Sequence, residues 1–310
     1  MTIGQAGSRP VALGQALLVT FLWSTSWVLI KIGLDELTLA PLSFAGLRYS
    51  LAALVLLPFA LPAIRAFSHA RDGGRLLGRV ALLGVVLYAV TQGAQFAALV
   101  NLPAVAVALA LSTTPVFVAL LSLRGERPSV GQVCGAVALV LGAAVYFGPL
   151  DFGPGAGLGL LVAGIGVAAN AASALMGRSL ARDALPKVGG VIGLTAVSMA
   201  IGAVVLLGAG LILEGVPRLT GQGWLIIGWL ALVNTAFAFT LWNHTLRTLT
   251  AVESSVMNNL MLIQIAVLAW VFLGETMDIR QVAGLLIALA GIGAVQLLRP
   301  RRIDSQASSP

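Results

Sequence analysis

The sequence predicts an all-α integral membrane protein of ten transmembrane helices, built as a 5+5 inverted repeat with both termini cytoplasmic. Three observations carry that expectation. With 59% hydrophobic residues, 9% charged residues and a mean hydropathy of +1.00, the chain lacks the polar surface of a soluble protein of 310 residues, in which about a quarter would be charged. Ten apolar runs, most near the ~20 residues that a bilayer-spanning helix needs, follow one another between short polar turns. One pattern also occurs twice: Gly125-Glu126 followed by Gln132-Val133-x-Gly135 and Gly142 returns 149 residues later as Gly274-Glu275, Gln281-Val282-x-Gly284 and Gly291.

The runs lie at 12–32, 39–64, 76–100, 104–123, 130–147, 158–180, 188–213, 223–244, 251–273 and 279–298. Turn chemistry separates them: Asp35-Glu36, the stretch 69–74, Asn101-Leu102-Pro103, Arg127-Pro128, Gly153-Pro154-Gly155, 183–186, 217–221 and Asp278. The first run follows a polar start and has no small-residue cleavage site, so it reads as a spanning helix and not a signal peptide. The tail from Pro300, rich in Ser and Arg, is expected to be disordered.

Basic residues set the orientation. Arg9, Arg65, Arg71, Arg75, Arg79, Arg124, Arg127, Arg178, Arg182, Lys187, Arg247, Arg299, Arg301 and Arg302 fall on one side of the ten-span arrangement. Lys31, Arg218 and Arg280 fall on the other, and Arg48 lies within a span. By the positive-inside rule the rich side is cytoplasmic, and so are both ends. Each copy of the duplication holds five runs, an odd number, so the second enters the membrane from the opposite face: Glu126 is expected inside and Glu275 outside. The expected parts are a cytoplasmic segment 1–11, a first repeat 12–148, an inverted second repeat 149–298 and a cytoplasmic tail 299–310. Secondary transporters are built in this way, with a midplane site between halves that rock or gate.

Composition excludes other classes. The net charge of +7 does not point to nucleic acid, because the basic residues lie in short loops and not on one folded face. The one cysteine, Cys134, permits no intrachain disulfide and no cysteine metal site. Two histidines, and no HExxH, Walker or GxSxG string, leave little for catalysis, so neither an enzyme nor a metal or other cofactor is expected.

Trp23-Ser24-x-Ser26 on the first run, Pro41 to Arg48 leading into the second, Pro115-Val116-Phe117 on the fourth and the two Gly-Glu turns resemble the drug/metabolite transporter superfamily, in particular its ten-helix EamA type. The resemblance covers nearly the whole chain. It implies a multi-pass protein of the bacterial inner membrane that exports small metabolites or drugs, and the chain is similar to bacterial exporters of aromatic amino acids. One position departs from the pattern: the counterpart of Pro115 in the second repeat is Gln264, so a family-like kink is not expected in the ninth helix.

Polar side chains in hydrocarbon are costly and usually face a bundle interior or a wet cavity, which makes them the pointers to a site. Tyr88, Gln92 and Gln95 on the third helix, and Thr235, Phe239 and Trp242 on the eighth, share the spacing i, i+4, i+7 and become equivalent under an offset of 147. Both faces are expected to line one cavity; the alternative is hydrogen bonding and packing between helices. Trp23, Ser24 and Trp27 on the first helix, Asn170 and Ser173 on the sixth, and Asn258 and Asn259 on the ninth complete the expected lining, with one of the two adjacent asparagines facing elsewhere. Arg48 reads as structural, snorkelling or pairing with a helix C-terminus, with capture of a substrate carboxylate as its alternative. His244 has gating and capping readings alike.

All eleven carboxylates fall at span ends, in loops or in the tail, which suits neutral, zwitterionic or amphipathic aromatic solutes better than multiply charged cations. No ion-coupling group is visible, so facilitated diffusion fits. A nucleotide sugar would need several basic residues in the cavity, whereas Arg48 stands alone there. Export of drugs or of other small metabolites is the second reading. An intramembrane enzyme lacks a mid-span nucleophile with its base, and a structural scaffold would pair its polar residues and enclose no cavity. The expected partners are a small-molecule substrate and the lipid bilayer. Glycine seams on the fifth and tenth helices leave monomer and homodimer equally open.

Overall fold

The computed structural model describes residues 9–69, 72–114, 116–118, 130–148, 154–184, 191–245, 248–249 and 251–297. The first Gly-Glu turn, Pro115, the C-terminal tail from 298 and the side chains of Gln132 and Asn259 lie outside the described residues. Each of the ten runs forms a helix, and no strand occurs among the described residues. We number them α1 (Arg9–Asp35), α2 (Pro41–His69), α3 (Gly73–Asn101), α4 (Ala104–Ser112), α5 (Val130–Phe147), α6 (Ala156–Ala184), α7 (Val191–Leu213), α8 (Gly221–Ala231, continued by Leu232–Phe237 and Ala238–Thr245), α9 (Ala251–Leu273) and α10 (Ile279–Leu297). Six of them, α1, α2, α3, α6, α7 and α8, are long and apolar enough to cross a membrane; the other four carry shorter apolar stretches. Leu54, Phe59, Leu161, Ile212 and Phe272 are exposed, as they should be where the solvent is lipid.

Within the expected 104–123, α4 is interrupted: 116–118 are again helical, and 119–123 lie outside the described residues. Its regular turn ends at Ser112, where the Thr113 amide donates to the Ala110 carbonyl, and the hydroxyls of Ser112, Thr113 and Thr114 each donate to a carbonyl three residues back. A proline at 115 explains this, because it offers no amide and disfavours helical geometry in the residue before it. α9 carries Gln264 at the equivalent place and runs on unbroken.

Packing divides the chain into two compact units that cut across the duplication: residues 1–118 with 149–276, and residues 119–148 with 277–310. In the first unit α1 packs on α8 and α9, α6 on α3 and α4, α2 on α7 and α8, and α7 on α3. Exchanging the two repeats turns α1 with α8 into α6 with α3, α1 with α9 into α6 with α4, and α2 with α8 into α7 with α3. The observed pairings are therefore those of a two-fold related pair of halves. Glycine permits the closest approach in this unit: a methyl at Gly84 would strike the Ser198 carbonyl, and one at Gly202 would strike the Gly84 carbonyl.

The second unit is α5 against α10. A methyl at Gly142 would overlap the backbone of Gly284 and Ala288, and one at Gly291 would overlap that of Gly135 and Leu139. The seam is thus used within one chain, where van der Waals contact between backbones replaces the hydrophobic effect that lipid cannot supply. At the start of α10 the Gln of the duplicated pattern has a plain task. Asp278 Oδ1 accepts from the Gln281 amide at 2.7 Å while Gln281 Oε1 accepts from the Asp278 amide at 2.9 Å, a reciprocal cap. The first copy carries Ser129 three residues before Gln132, the same arrangement of residue types.

Candidate substrate-binding site

α3 and α8 share a local irregularity. Over Val85–Gln92 and Leu232–Phe237 the backbone widens from α- to π-helical turns, and the two segments begin 147 residues apart, the offset that equates the two polar triplets. Widened turns of this kind free a carbonyl and are frequent at functional sites. Threonines take up the slack: Thr91 Oγ1 donates to the Val86 carbonyl and Thr235 Oγ1 to the Leu230 carbonyl, each five residues back.

The aromatic part of the site forms where α1 meets α8. The Trp23 ring lies 5.2 Å from that of Phe239 and 5.3 Å from that of Trp242, both tilted, on a base of Ala12, Ala16, Val19 and Ala238. Trp23 Nε1 is buried and has no hydrogen-bond partner among the described residues. An indole N–H placed in this way leaves an unmet donor beside three ring faces. Trp27 is buried one turn further along α1.

The polar part lies where α2, α3 and α8 meet. Arg48 is 5% exposed, its Nε donates to Thr235 Oγ1 at 3.1 Å, and its guanidinium carbon sits 5.2 Å from the Tyr49 ring centre and 6.0 Å from that of Phe96. The Tyr49 hydroxyl donates to Gln92 Oε1 at 2.7 Å, and the rings of Tyr49 and Tyr88 are 5.4 Å apart. Arg48 therefore does not snorkel toward a helix end. It is packed inside the bundle, and no described carboxylate lies within ion-pairing distance of it.

The remaining expected residues are distributed around these two centres. Ser24 faces α9, where its hydroxyl lies 3.0 Å from Gln264 Oε1 and 3.3 Å from the Met261 carbonyl. Asn170 donates to Thr114 Oγ1 at 3.1 Å, which ties α6 to the end of α4, and the Ser173 hydroxyl returns to the Asn170 carbonyl. Gln95 is half-buried, Asn258 is exposed and so is His244. Tyr49, Phe96, Thr114 and Asn234 join the polar network without having been singled out. Asn234 is fully buried and donates to the Leu22 carbonyl and to Thr25 Oγ1 across the α1–α8 contact. A polar residue inside the eighth run was its available signal; Tyr49 and Phe96 look like ordinary apolar helix residues until Arg48 is seen to be buried.

A cleft of about 470 Å³ opens elsewhere, at the ends of α1 and α9 and the α3–α4 junction, lined in part by Lys31, Asp35, Asn101 and Glu275. Lys31 Nζ donates to the Leu99 carbonyl at 2.6 Å and lies 3.1 Å from Asp35. Gly274 takes a positive φ of 65°, which glycine adopts freely, and turns Glu275 onto the start of α4, where Oε1 accepts from the Ala104 amide at 2.8 Å. Burial pushes the Glu275 carboxyl above its ordinary range; the Ala104 and Val105 amides and then Lys31 oppose that push, and Asp35 adds to it. A second acid caps α2: Glu214 accepts from the Leu42 and Ser43 amides at 2.9 and 2.8 Å.

Comparison with known proteins now bears on this arrangement. The sequence matches the EamA-like transporter family twice, over residues 11–148 and 157–296. Among curated proteins none matches. Fifteen chains of solved structures are similar; one, described as "Crystal structure of protein", is 19% identical with a TM-score of 0.63, covering 96% of this chain and 100% of its own. At that identity the likeness shows the fold alone.

Proposed function

Because the chain belongs to the EamA-like transporter family, a membrane transporter family of the drug/metabolite type, we propose that it is a secondary transporter exporting small amphipathic metabolites, aromatic amino acids foremost, across the bacterial inner membrane. Transport proceeds by alternating access: the halves rock about a central site lined by Trp23, Trp27, Tyr88, Gln92, Gln95, Thr235, Phe239 and Trp242. One observation supports the aromatic substrate above the others. The Trp23 indole lies among Phe239 and Trp242 with its buried N–H unmet, so a solute that brings both a ring and an acceptor would complete what these residues leave open.

Proteoliposomes test this directly. Radiolabelled phenylalanine should show saturable counterflow, threonine little, and a quaternary ammonium cation none. Trp242→Ala should weaken the apparent affinity for phenylalanine by about tenfold, the loss expected from removing a large aromatic contact. Counterflow confined to the cation would overturn the reading.

A further inference from the structure

Arg48 presents an unsolved charge. A guanidinium has five N–H donors, and among the described residues Nε to Thr235 accounts for one of them. The aromatic faces of Tyr49 and Phe96 spread part of the charge, at 5.2 and 6.0 Å, but no described carboxylate neutralises it. A buried cation without a counter-ion is expensive in protein and more so in a bilayer. α3 and α7 meet each other through Gly84 and Gly202, and neither helix carries an acid. The Thr235 hydroxyl proton is already committed to the Leu230 carbonyl, so Thr235 orients the guanidinium and leaves its two terminal nitrogens for another ligand.

Thr235 also fixes a distance. Phe239 follows it by four residues on α8, about 6 Å along a helix axis, and Phe239 is in ring contact with Trp23. The hydroxyl that orients the charged anchor and an aromatic anchor are thus set about one turn apart on the same helix.

We infer that Arg48, held by Thr235, is a carboxylate subsite, and that the transported solute is an aromatic monocarboxylate whose α-amino group is dispensable. This rests on the transport reading given above and sharpens it. The guanidinium takes the carboxylate through paired charge-assisted hydrogen bonds, and Trp23, Phe239 and Trp242 take the ring. Among the carboxylates whose side chains are described, none faces this region to hold an ammonium group: Asp35, Glu36, Asp72, Glu214, Glu275 and Asp278 sit at helix ends and turns. The amide oxygens available to an amine are neutral and add little discrimination.

Competition in the wild-type protein tests this without a variant. Against radiolabelled phenylalanine counterflow, unlabelled 3-phenylpropionate should compete within about threefold of phenylalanine itself, and 2-phenylethylamine about tenfold or more weaker. Arg48→Gln should weaken 3-phenylpropionate by about tenfold or more, with Arg48→Lys recovering part of the loss. Equal competition by acid and amine, or by the amine alone, overturns the subsite. Should phenylalanine show no counterflow at all, thermal shift in detergent separates the two ideas: stabilisation by 3-phenylpropionate and not by 2-phenylethylamine sustains the subsite while the transport reading fails, and equal shifts, or none with either, overturn the subsite.

Discussion

Glu275 caps the α4 amides as a carboxylate, yet its burial favours the neutral acid. A carboxyl whose folded pKa is raised holds its proton to higher pH in the native state than in the unfolded chain. Stability contributed by this group therefore falls as pH rises from its ordinary value near 4.5 through the raised one. Thermal unfolding in detergent should show that fall in the wild-type protein, and Glu275→Gln, which keeps the shape and removes the titration, should flatten it. A slope unchanged in the variant would mean that Glu275 is not the group responsible. The duplicated pattern made Glu275 conspicuous in the sequence, but its partner did not follow from it, because the Ala104 amide lies 171 residues away. Arg48 shows the same limit. Its presence within a span was plain, whereas the choice between snorkelling and burial depends on α3 and α8, which supply Phe96 and Thr235 from far along the chain.

Helices α5 and α10 illustrate what spacing alone does reveal. Glycines seven residues apart in both helices marked a face for close approach, and the structure places those faces against each other. Gly284→Leu should therefore drive a side chain into the backbone of Gly142 and Tyr146 and cost about 1–3 kcal/mol, read as a lowered unfolding temperature. Gly293→Ala on the same helix has open space around it and should not lower the temperature, since alanine favours a helix interior over glycine. The cap at the start of α10 belongs to this scale as well: Asp278→Ala should cost about 1 kcal/mol. The widened turns of α3 and α8 were less accessible. An offset of 147 aligned their triplets, but nothing in residue type announces that a carbonyl will skip from its usual partner to a threonine hydroxyl.

The whole molecule was legible in outline because hydropathy counts the spans, and a repeat of five spans must invert when it is duplicated. The grouping of helices by packing was not legible, since every contact that defines it joins distant residues, α2 with α7 and α5 with α10 among them. Orientation can be measured in intact cells once Cys134, which is exposed, is replaced by serine. A membrane-impermeant maleimide should label cysteines placed at Arg218 and Asp278 and spare one placed at Gly74. Labelling of Gly74→Cys in preference to the other two would reverse the assignment. The acids that start α2 and α4 carry one more implication for the intact chain. Glu214 and Glu275 are translated long after the helices whose amides they meet, so the nascent first half emerges from the ribosome with those ends uncovered. A polypeptide truncated after residue 148 would stay in that unfinished condition and be open to proteolysis.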